Sequence, residues 1–527
     1  MLKSVFAKRE QETIHDLIYF YGVCILIIAL PTSIYFVSAS QLLMGLNWLA
    51  EGRYREKIQR FWKNRPAVFL SAIYLVYLAG ILWTQDLAYG IGFDLKHKLP
   101  ILTLTFLLAS IRPMPPLRTR VLPLLFSLSV MVATFVGFAI YLRHEFADPR
   151  AFSPFVIHVF FSMMVVFAIF LLPWSVRRLT QKTSWYYLSL AGAVWLLIFL
   201  FTLSAMTGIL CLGAVVVYWL AKEMFFKPGL ARKAIGILVL ATAVVLLAFF
   251  LSAALKPINR QVDPDPATLT QTTLQGNPYL HDFDATTREN GHLVYIFIAE
   301  DELREAWNAR SEIHFDSTSL AGQEMKATIL RYLASRGLRK DREGVYALDD
   351  HEISAIEHGV PNHLYTRWPN ILIRVHQTLW EIKEFERTGN PGGHSLTTRI
   401  ELWKAAWAAF KQRPIFGWGT GDVIPAVQHG LQLTGSELDY SRLKTHPHNQ
   451  YLHLLVMLGL AGTILIGVLY YLFVTRSLAC RYGIFKILLV IALTGMLVDS
   501  PVDHQIGLTF ILIFSLYFGV LERHESP

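Results

Sequence analysis

Apolar runs close to the ~20 residues needed to cross a bilayer recur along the chain, separated by short polar loops. The pattern predicts about twelve spans. Two short ones flank Pro31, near 17–33 and 34–50. Others lie near 66–84, 98–112, 121–142, 154–174, 185–203, 205–221 and 233–254, and the last three near 451–475, 484–499 and 505–521. The pattern changes after the ninth run, where residues 257–398 are polar and charged. Helical patches at Ala299–Arg310 and Gln323–Leu338, with turns at Gly276-Asn-Pro278 and Gly389-Asn-Pro-Gly-Gly393, predict a mainly helical segment. Beyond it, Leu402, Trp403, Ala406, Trp407 and Phe410 recur at helical spacing, with Arg399, Glu401, Lys404 and Lys411 between them. This predicts an amphipathic helix that either lies at the membrane surface or packs on the rest of the polar segment.

The expected fold is an all-α polytopic membrane protein in three parts. An N-terminal bundle covers 1–254, a large polar domain 255–450 and a C-terminal bundle 451–527. Composition agrees: the chain has 527 residues, 54% of them hydrophobic, and a mean hydropathy of +0.40, too apolar for an ordinary soluble protein. No cleavable signal pattern is expected, because the first apolar run is long and no small-residue cleavage site follows it. Cys24 and Cys211 sit in apolar runs and Cys480 in a short basic loop, so neither a disulfide framework nor a zinc spacing is available.

The formal charge of +9 is largely a topology signal. With the N-terminus inside, alternate short loops are basic, from Arg53–Arg65 through Arg112–Arg120, Arg177–Lys182 and Lys222–Lys233 to Arg476–Lys486. The opposite loops, Asp86–Lys98, Arg143–Arg150 and Asp499–His504, are short or mixed. Segment 255–450 is therefore expected to face outward, the periplasm in a Gram-negative cell, with both termini cytoplasmic. Nucleic acid is not an expected partner.

Candidate chemistry gathers in Lys444-Thr-His-Pro-His-Asn-Gln-Tyr-Leu452, where two imidazoles run into an apolar helix. A neutral imidazole at the lip of a bilayer can move protons. By spacing, His448 is a base, a hydrogen-bonded cap or an interface residue, with Asn449 beside it. His446, two residues earlier across Pro447, shares the role or positions the turn. Their separation suits no zinc motif. Arg399, at the start of the amphipathic helix, carries a guanidinium that grips phosphate in a two-pronged fashion, or it is an interfacial anchor. Gly417-Trp-Gly-Thr-Gly-Asp422 is not a nucleotide loop, since no strand precedes it and no Gly-Lys-Ser/Thr follows. It reads as a tight turn folding the helix back towards His448. Lys96, Lys98, Arg143 and Arg150 run against the inside bias and are candidates for anion binding or lipid headgroups. The histidines of the polar segment follow no ligand pattern and are expected at the surface. His158 lies within an apolar run, where a polar group needs a partner.

Thr398-Arg-Ile-Glu-Leu-Trp-Lys-Ala-Ala-Trp407, Arg413-Pro-Ile-Phe-Gly-Trp-Gly-Thr-Gly-Asp422, His446-Pro-His-Asn-Gln-Tyr-Leu452 and Leu458-Gly-Leu-Ala-Gly462 together resemble the O-antigen ligase family, within the wider ligase and O-antigen polymerase superfamily. The resemblance implies about twelve spans, a large outward domain between the ninth and tenth, and a GT-C-like glycosyltransferase in the bacterial inner membrane. It implies an undecaprenyl diphosphate-linked glycan as donor, and no nucleotide sugar, cofactor or essential metal. The implied acceptor is a sugar hydroxyl on lipid A core for a ligase, or another lipid-linked repeat unit for a polymerase. By motif, His448 matches the essential histidine and Arg399 the arginine facing the diphosphate. One departure stands out: the turn Leu203-Ser-Ala-Met-Thr-Gly208 has Met206 where the family has a second arginine. Lys96, Lys98 and Arg143 are the candidate substitutes. A transporter or a sensor with an outward domain is the distant alternative, and no repeated halves support it.

Overall fold

The structure is a computed structural model that describes residues 5–7, 12–143, 146, 149–226, 229–265, 269–389, 391, 395–438 and 446–522. It is mostly helical, at 74%. All twelve apolar runs form helices, but not all are of spanning length. Seven are long and apolar enough to cross a membrane: Arg65–Trp83, Pro116–Arg143, His158–Leu179, Thr183–Leu203, Met206–Phe225, Lys233–Asn259 and Gln450–Arg476. Ile14–Ala29 and Gly483–Val498 have 16 residues each, or roughly 24 Å at 1.5 Å per residue, short of the ~30 Å hydrocarbon core. Gln505–Leu516 is shorter still, and a π-turn extends it to Leu521. Lys96–Ser110 opens on Lys96, His97 and Lys98, and Ile34–Glu51 is interrupted by Ser38, Ser40, Gln41 and Asn47. The first pair is separated at Pro31, with the Thr13–Asp16 capping box starting the first helix and Ser33 capping the second.

The chain divides into two compact units. The first comprises Met1–Ile140, Arg150–Lys222 and Thr398–Pro527; the second, Tyr141–Pro149 and Glu223–Thr397. Residues 398–450, grouped by their sequence with the polar domain, thus fold together with the first unit's apolar helices. The reason is visible in the helix Ser395–Gln412: Leu402, Ala405, Ala406, Ala409 and Phe410 are buried, and of its large apolar side chains only Trp407 is widely exposed. The amphipathic face serves mainly to pack, not to lie on lipid. The first unit's core includes an aromatic cluster in which Phe514 meets Phe126 at 4.8 Å and Phe167 at 4.9 Å between ring centres.

One helix of this unit is broken. Gln450–Arg476 is interrupted at Gly459, whose φ of 63° and ψ of −166° are non-helical. The segment Arg413–Gly419 supplies the hydrogen bonds the break releases. Trp418 and Gly419 donate backbone N–H to the Val456 and Met457 carbonyls at 2.8 and 2.9 Å. Leu460 and Ala461 donate to Pro414 and Ile415 at 2.8 and 3.0 Å. Such pairing lets an irregular turn exist among apolar helices, where an unmet backbone group costs several kcal/mol. The two backbones approach closely: a Cβ on Gly459 would lie 2.3 Å from the Ile415 oxygen, and one on Gly417 2.6 Å from the Gly459 nitrogen. Thr420 ties the same segment to the helix Arg65–Ala79, through its hydroxyl to the Tyr77 carbonyl at 2.7 Å and its N–H to Gly80 at 3.3 Å.

The second unit has its own core around Trp307, with Phe315, Ile329, Tyr332, Leu333 and Ile356. These come from helices Glu300–Arg310, Met325–Ser335 and Asp350–Glu357 and the loops between them. The expected helical patches at 299–310 and 323–338 are two of these. A hairpin, Arg288–Glu289 paired with His292–Leu293, turns at Asn290 and Gly291, both at positive φ. His376, expected at the surface with the other histidines of this segment, is fully buried and bonds the Tyr365 hydroxyl at 2.9 Å. Burial pushes its imidazole down to about 4, so it stays neutral. His158 is the first residue of the candidate span His158–Leu179 and is half-buried there.

Candidate active site

The helix Gln450–Arg476 starts at an Asn449 cap, whose side-chain oxygen accepts from the Tyr451 and Leu452 N–H groups at 3.0 and 3.1 Å. The Asn449 amide donates to the Leu497 carbonyl at 3.0 Å, which fixes the cap against the end of the helix Gly483–Val498. Immediately before the cap, His448 adopts φ 48°, a left-handed conformation uncommon for a side chain of this size. Such strain persists where neighbours over-determine the backbone. Here the Trp403 indole holds the preceding Pro447 carbonyl at 2.8 Å, and the Gln450 N–H holds the Asp499 carbonyl at 3.2 Å.

The strained turn aims His448 at Asp499. Its Nδ1 lies 3.4 Å from one carboxylate oxygen, and Arg399 Nη2 lies 4.0 Å from the other. Arg399 is also anchored by donation to the Val498 carbonyl at 2.8 Å. Burial pushes the Asp499 carboxyl up, yet the His448 hydrogen bond and charge, the Ser500 N–H at 2.8 Å and Arg399 together hold it below the usual carboxylate range. Asp499 is therefore ionised at neutral pH and only accepts. In the neutral imidazole the hydrogen then sits on Nδ1, which leaves the Nε2 lone pair free to take a proton. About a third of the His448 side chain and a quarter of Arg399 remain open to solvent. A half-open base and a cation sharing one buried acid can activate a hydroxyl and stabilise an anion side by side.

A second cluster gathers around Asp503, four residues after Asp499. Lys98 is fully buried, with its ammonium 2.8 Å from Asp503 and 3.1 Å from Asp94. His453 Nδ1 lies 3.3 Å from Asp503, and the His446 and His453 rings are 5.0 Å apart. Gln450 joins the two clusters, donating to Asp503 at 2.9 Å and accepting from the Val502 N–H at 2.9 Å. Burial pushes His446 towards its neutral form. Among the described residues, ligand atoms of Asp94, His453 and Asp503 lie within 4.8 Å of one another, a spacing that a metal ion could use. The Lys98 ammonium is already bonded to both carboxylates, however, so the group is an ion-paired core whose cation is part of the chain.

The predicted residues thus separate. His448, Arg399 and Asn449 come together; His446 stands on the neighbouring cluster. Lys98, expected at a diphosphate, has its charge neutralised by two buried carboxylates. Lys96 is exposed at the start of its helix. Arg143 is exposed at the end of Pro116–Arg143 and belongs to the second unit. Met206 opens the helix Met206–Phe226, half-buried, just after Ser204 breaks the preceding one at φ 50°. Asp422 is buried and accepts from the Gln85 and Asp86 N–H groups at 2.7 and 2.9 Å, so it fastens the Gly417–Asp422 turn to the chain beyond Trp83. Sequence reasoning missed Asp499 and Asp503. Their signal was an acidic pair in a short loop between two apolar runs, Asp499-Ser-Pro-Val-Asp503.

An acid-paired histidine and an arginine at a helix start thus stand side by side in a helical chain with helices long and apolar enough to cross a membrane. The family model described as O-antigen ligase matches residues 364–467, which include Arg399, Asp422, His446, His448 and Asn449. That stretch of the chain is similar to the O-antigen ligase family, whose members are membrane enzymes of the ligase or polymerase type. The chain has no significant match among curated proteins.

Proposed function

We propose that the protein is an inverting, metal-independent glycosyltransferase of the inner membrane. It moves a glycan from an undecaprenyl diphosphate carrier to an acceptor hydroxyl, as an O-antigen ligase acting on lipid A core. The observation that carries this reading is Asp499, which holds His448 on one oxygen and faces Arg399 with the other. His448 Nε2 takes the proton of the attacking hydroxyl as the new glycosidic bond forms. The bond to the diphosphate breaks on the opposite face of the anomeric carbon, so configuration inverts. Arg399 stabilises the departing diphosphate. Met206 stands where the family has a second arginine, and exposed Lys96 of the same unit is the candidate to replace it. An apolar groove of about 590 Å³ beside Gly417, lined also by Trp83, Ile415 and Phe416, supports entry of a lipid tail near the broken helix.

The test is glycan transfer with purified lipid-linked donor and acceptor. His448→Ala is expected to abolish transfer, and Arg399→Ala to weaken donor binding. Wild-type-like transfer by His448→Ala would remove the base, and unchanged donor affinity in Arg399→Ala would remove the diphosphate contact. Glycan found on lipid A core identifies a ligase, whereas ladders of lengthening lipid-linked glycan identify a polymerase.

A further inference from the structure

The second unit contains a cavity of about 380 Å³ with no part in the chemistry above, within the size range of small-ligand sites. Its walls are the last residues of the helix Lys233–Asn259, the Asn290-Gly291 turn and the C-terminal half of the helix Asn370–Thr388. Three cations line it, Arg288, Lys383 and Arg387, against two carboxylates, Glu384 and Glu386. The guanidiniums are held in place. Arg288 donates to the Gly291 carbonyl at 3.0 Å and pairs with Asp263. Arg387 pairs with Glu384, which is buried and fixed by the Thr287 hydroxyl at 2.8 Å. Burial, with the neighbouring Arg288 adding to it, pushes Arg387 below its ordinary range.

Fixed guanidiniums recognise carboxylate and phosphate in two-pronged fashion. The carboxylates and the Asn259 amide answer a different need, because they accept from hydroxyls and a bare phosphate at neutral pH has few to offer. An anion that also carries several hydroxyls is an acidic sugar. The cavity is lined by Ile258 and Asn259, the last turn of a helix apolar enough to cross a membrane.

We propose that this cavity binds sugars bearing a carboxylate or phosphate, the class of a uronic acid or a sugar phosphate. Its role in choosing a substrate rests on the transferase reading; the binding does not. The experiment is calorimetry on the full-length protein in detergent, titrated with glucuronic acid, glucose 6-phosphate, glucose, inorganic phosphate and phosphatidylglycerol micelles. One or both acidic sugars should bind at least about tenfold more tightly than glucose or phosphate. Lys383→Gln, on a half-exposed side chain whose ammonium pairs with the exposed Glu386 at 2.8 Å, should weaken that binding severalfold, and Arg387→Gln should weaken it further. Glucose or inorganic phosphate binding as tightly overturns the proposal. So does wild-type binding in both variants, or displacement by phosphatidylglycerol alone, which marks a lipid-headgroup site. Binding is read without turnover, so a protein that binds acidic sugars yet transfers no glycan sinks the transferase reading and leaves this site standing.

Discussion

Asp499→Asn removes one charge and almost no volume at the point where His448 and Arg399 meet. The amide oxygen still accepts from the Ser500 N–H and from Nδ1 of His448, and the backbone bond from Gln450 is untouched, so the turn keeps its shape. What disappears is the anion facing the imidazolium that forms as the hydroxyl loses its proton. Two unit charges 4 Å apart at an effective dielectric of 20 interact by about 4 kcal/mol. The 3.4 Å separation is long for a charged hydrogen bond, which places the net value nearer the ~1.5–3 kcal/mol of an ordinary hydrogen bond to a charged group. That corresponds to a loss of about 10- to 150-fold in kcat. Donor KM should hold steady or fall, since Arg399 loses its competing acid. The assay is single-turnover transfer with purified donor and acceptor, with a thermal melt to confirm the fold. A kcat within about twofold of wild type, in a variant that melts normally, would falsify the role given to Asp499.

Gly459→Ala forces a Cβ to within 2.3 Å of the Ile415 oxygen at a positive φ. Strain and overpacking should cost at least about 2 kcal/mol, read as a lowered melting temperature in detergent. Lys98→Met leaves Asp94 and Asp503 buried without their cation and should cost about 3–5 kcal/mol, part of which Lys98→Met with Asp94→Asn recovers. A stable single variant that loses only donor affinity would return Lys98 to the diphosphate. Lys340, buried beside the Leu293 carbonyl, is pushed down to about 8 by burial. The unfolded chain therefore holds a proton there that the folded chain releases between about pH 8 and 10. Amide exchange around residues 293–345 of the intact protein should slow as pH rises through that window, after correction for intrinsic exchange, and Lys340→Met should flatten the trend.

The apolar runs were legible because periodicity and length act locally, and every one of them is a helix. The break at Gly459 was not. Leu458-Gly-Leu460 reads as more apolar helix, and only the competing segment Arg413–Gly419 takes the carbonyls the helix would have used. His448 and Arg399 stood out through their positions at helix starts. Asp499, 51 residues further on, carried no motif, because its meaning comes from a tertiary contact with His448. Lys98 shows the two scales side by side: its partner Asp94 stands one helical turn away and was readable as a pair, whereas Asp503 was not. The Asn290-Gly291 turn between Arg-Glu and His-Leu was a legible hairpin signal, hidden by strands of only two residues.

The broken helix has a mechanical meaning. Below Gly459 the chain continues as an apolar helix whose first residues, Leu460 and Ala461, are held by the Pro414 and Ile415 carbonyls. Above it, the short stretch that begins at His448 is stitched through Arg413–Thr420 to Tyr77 and Gly80 of another helix. Both halves of the broken helix are thus clamped by Arg413–Gly419, so the position of the imidazole is referenced to the protein's own backbone and Gly459 is a fixed bend.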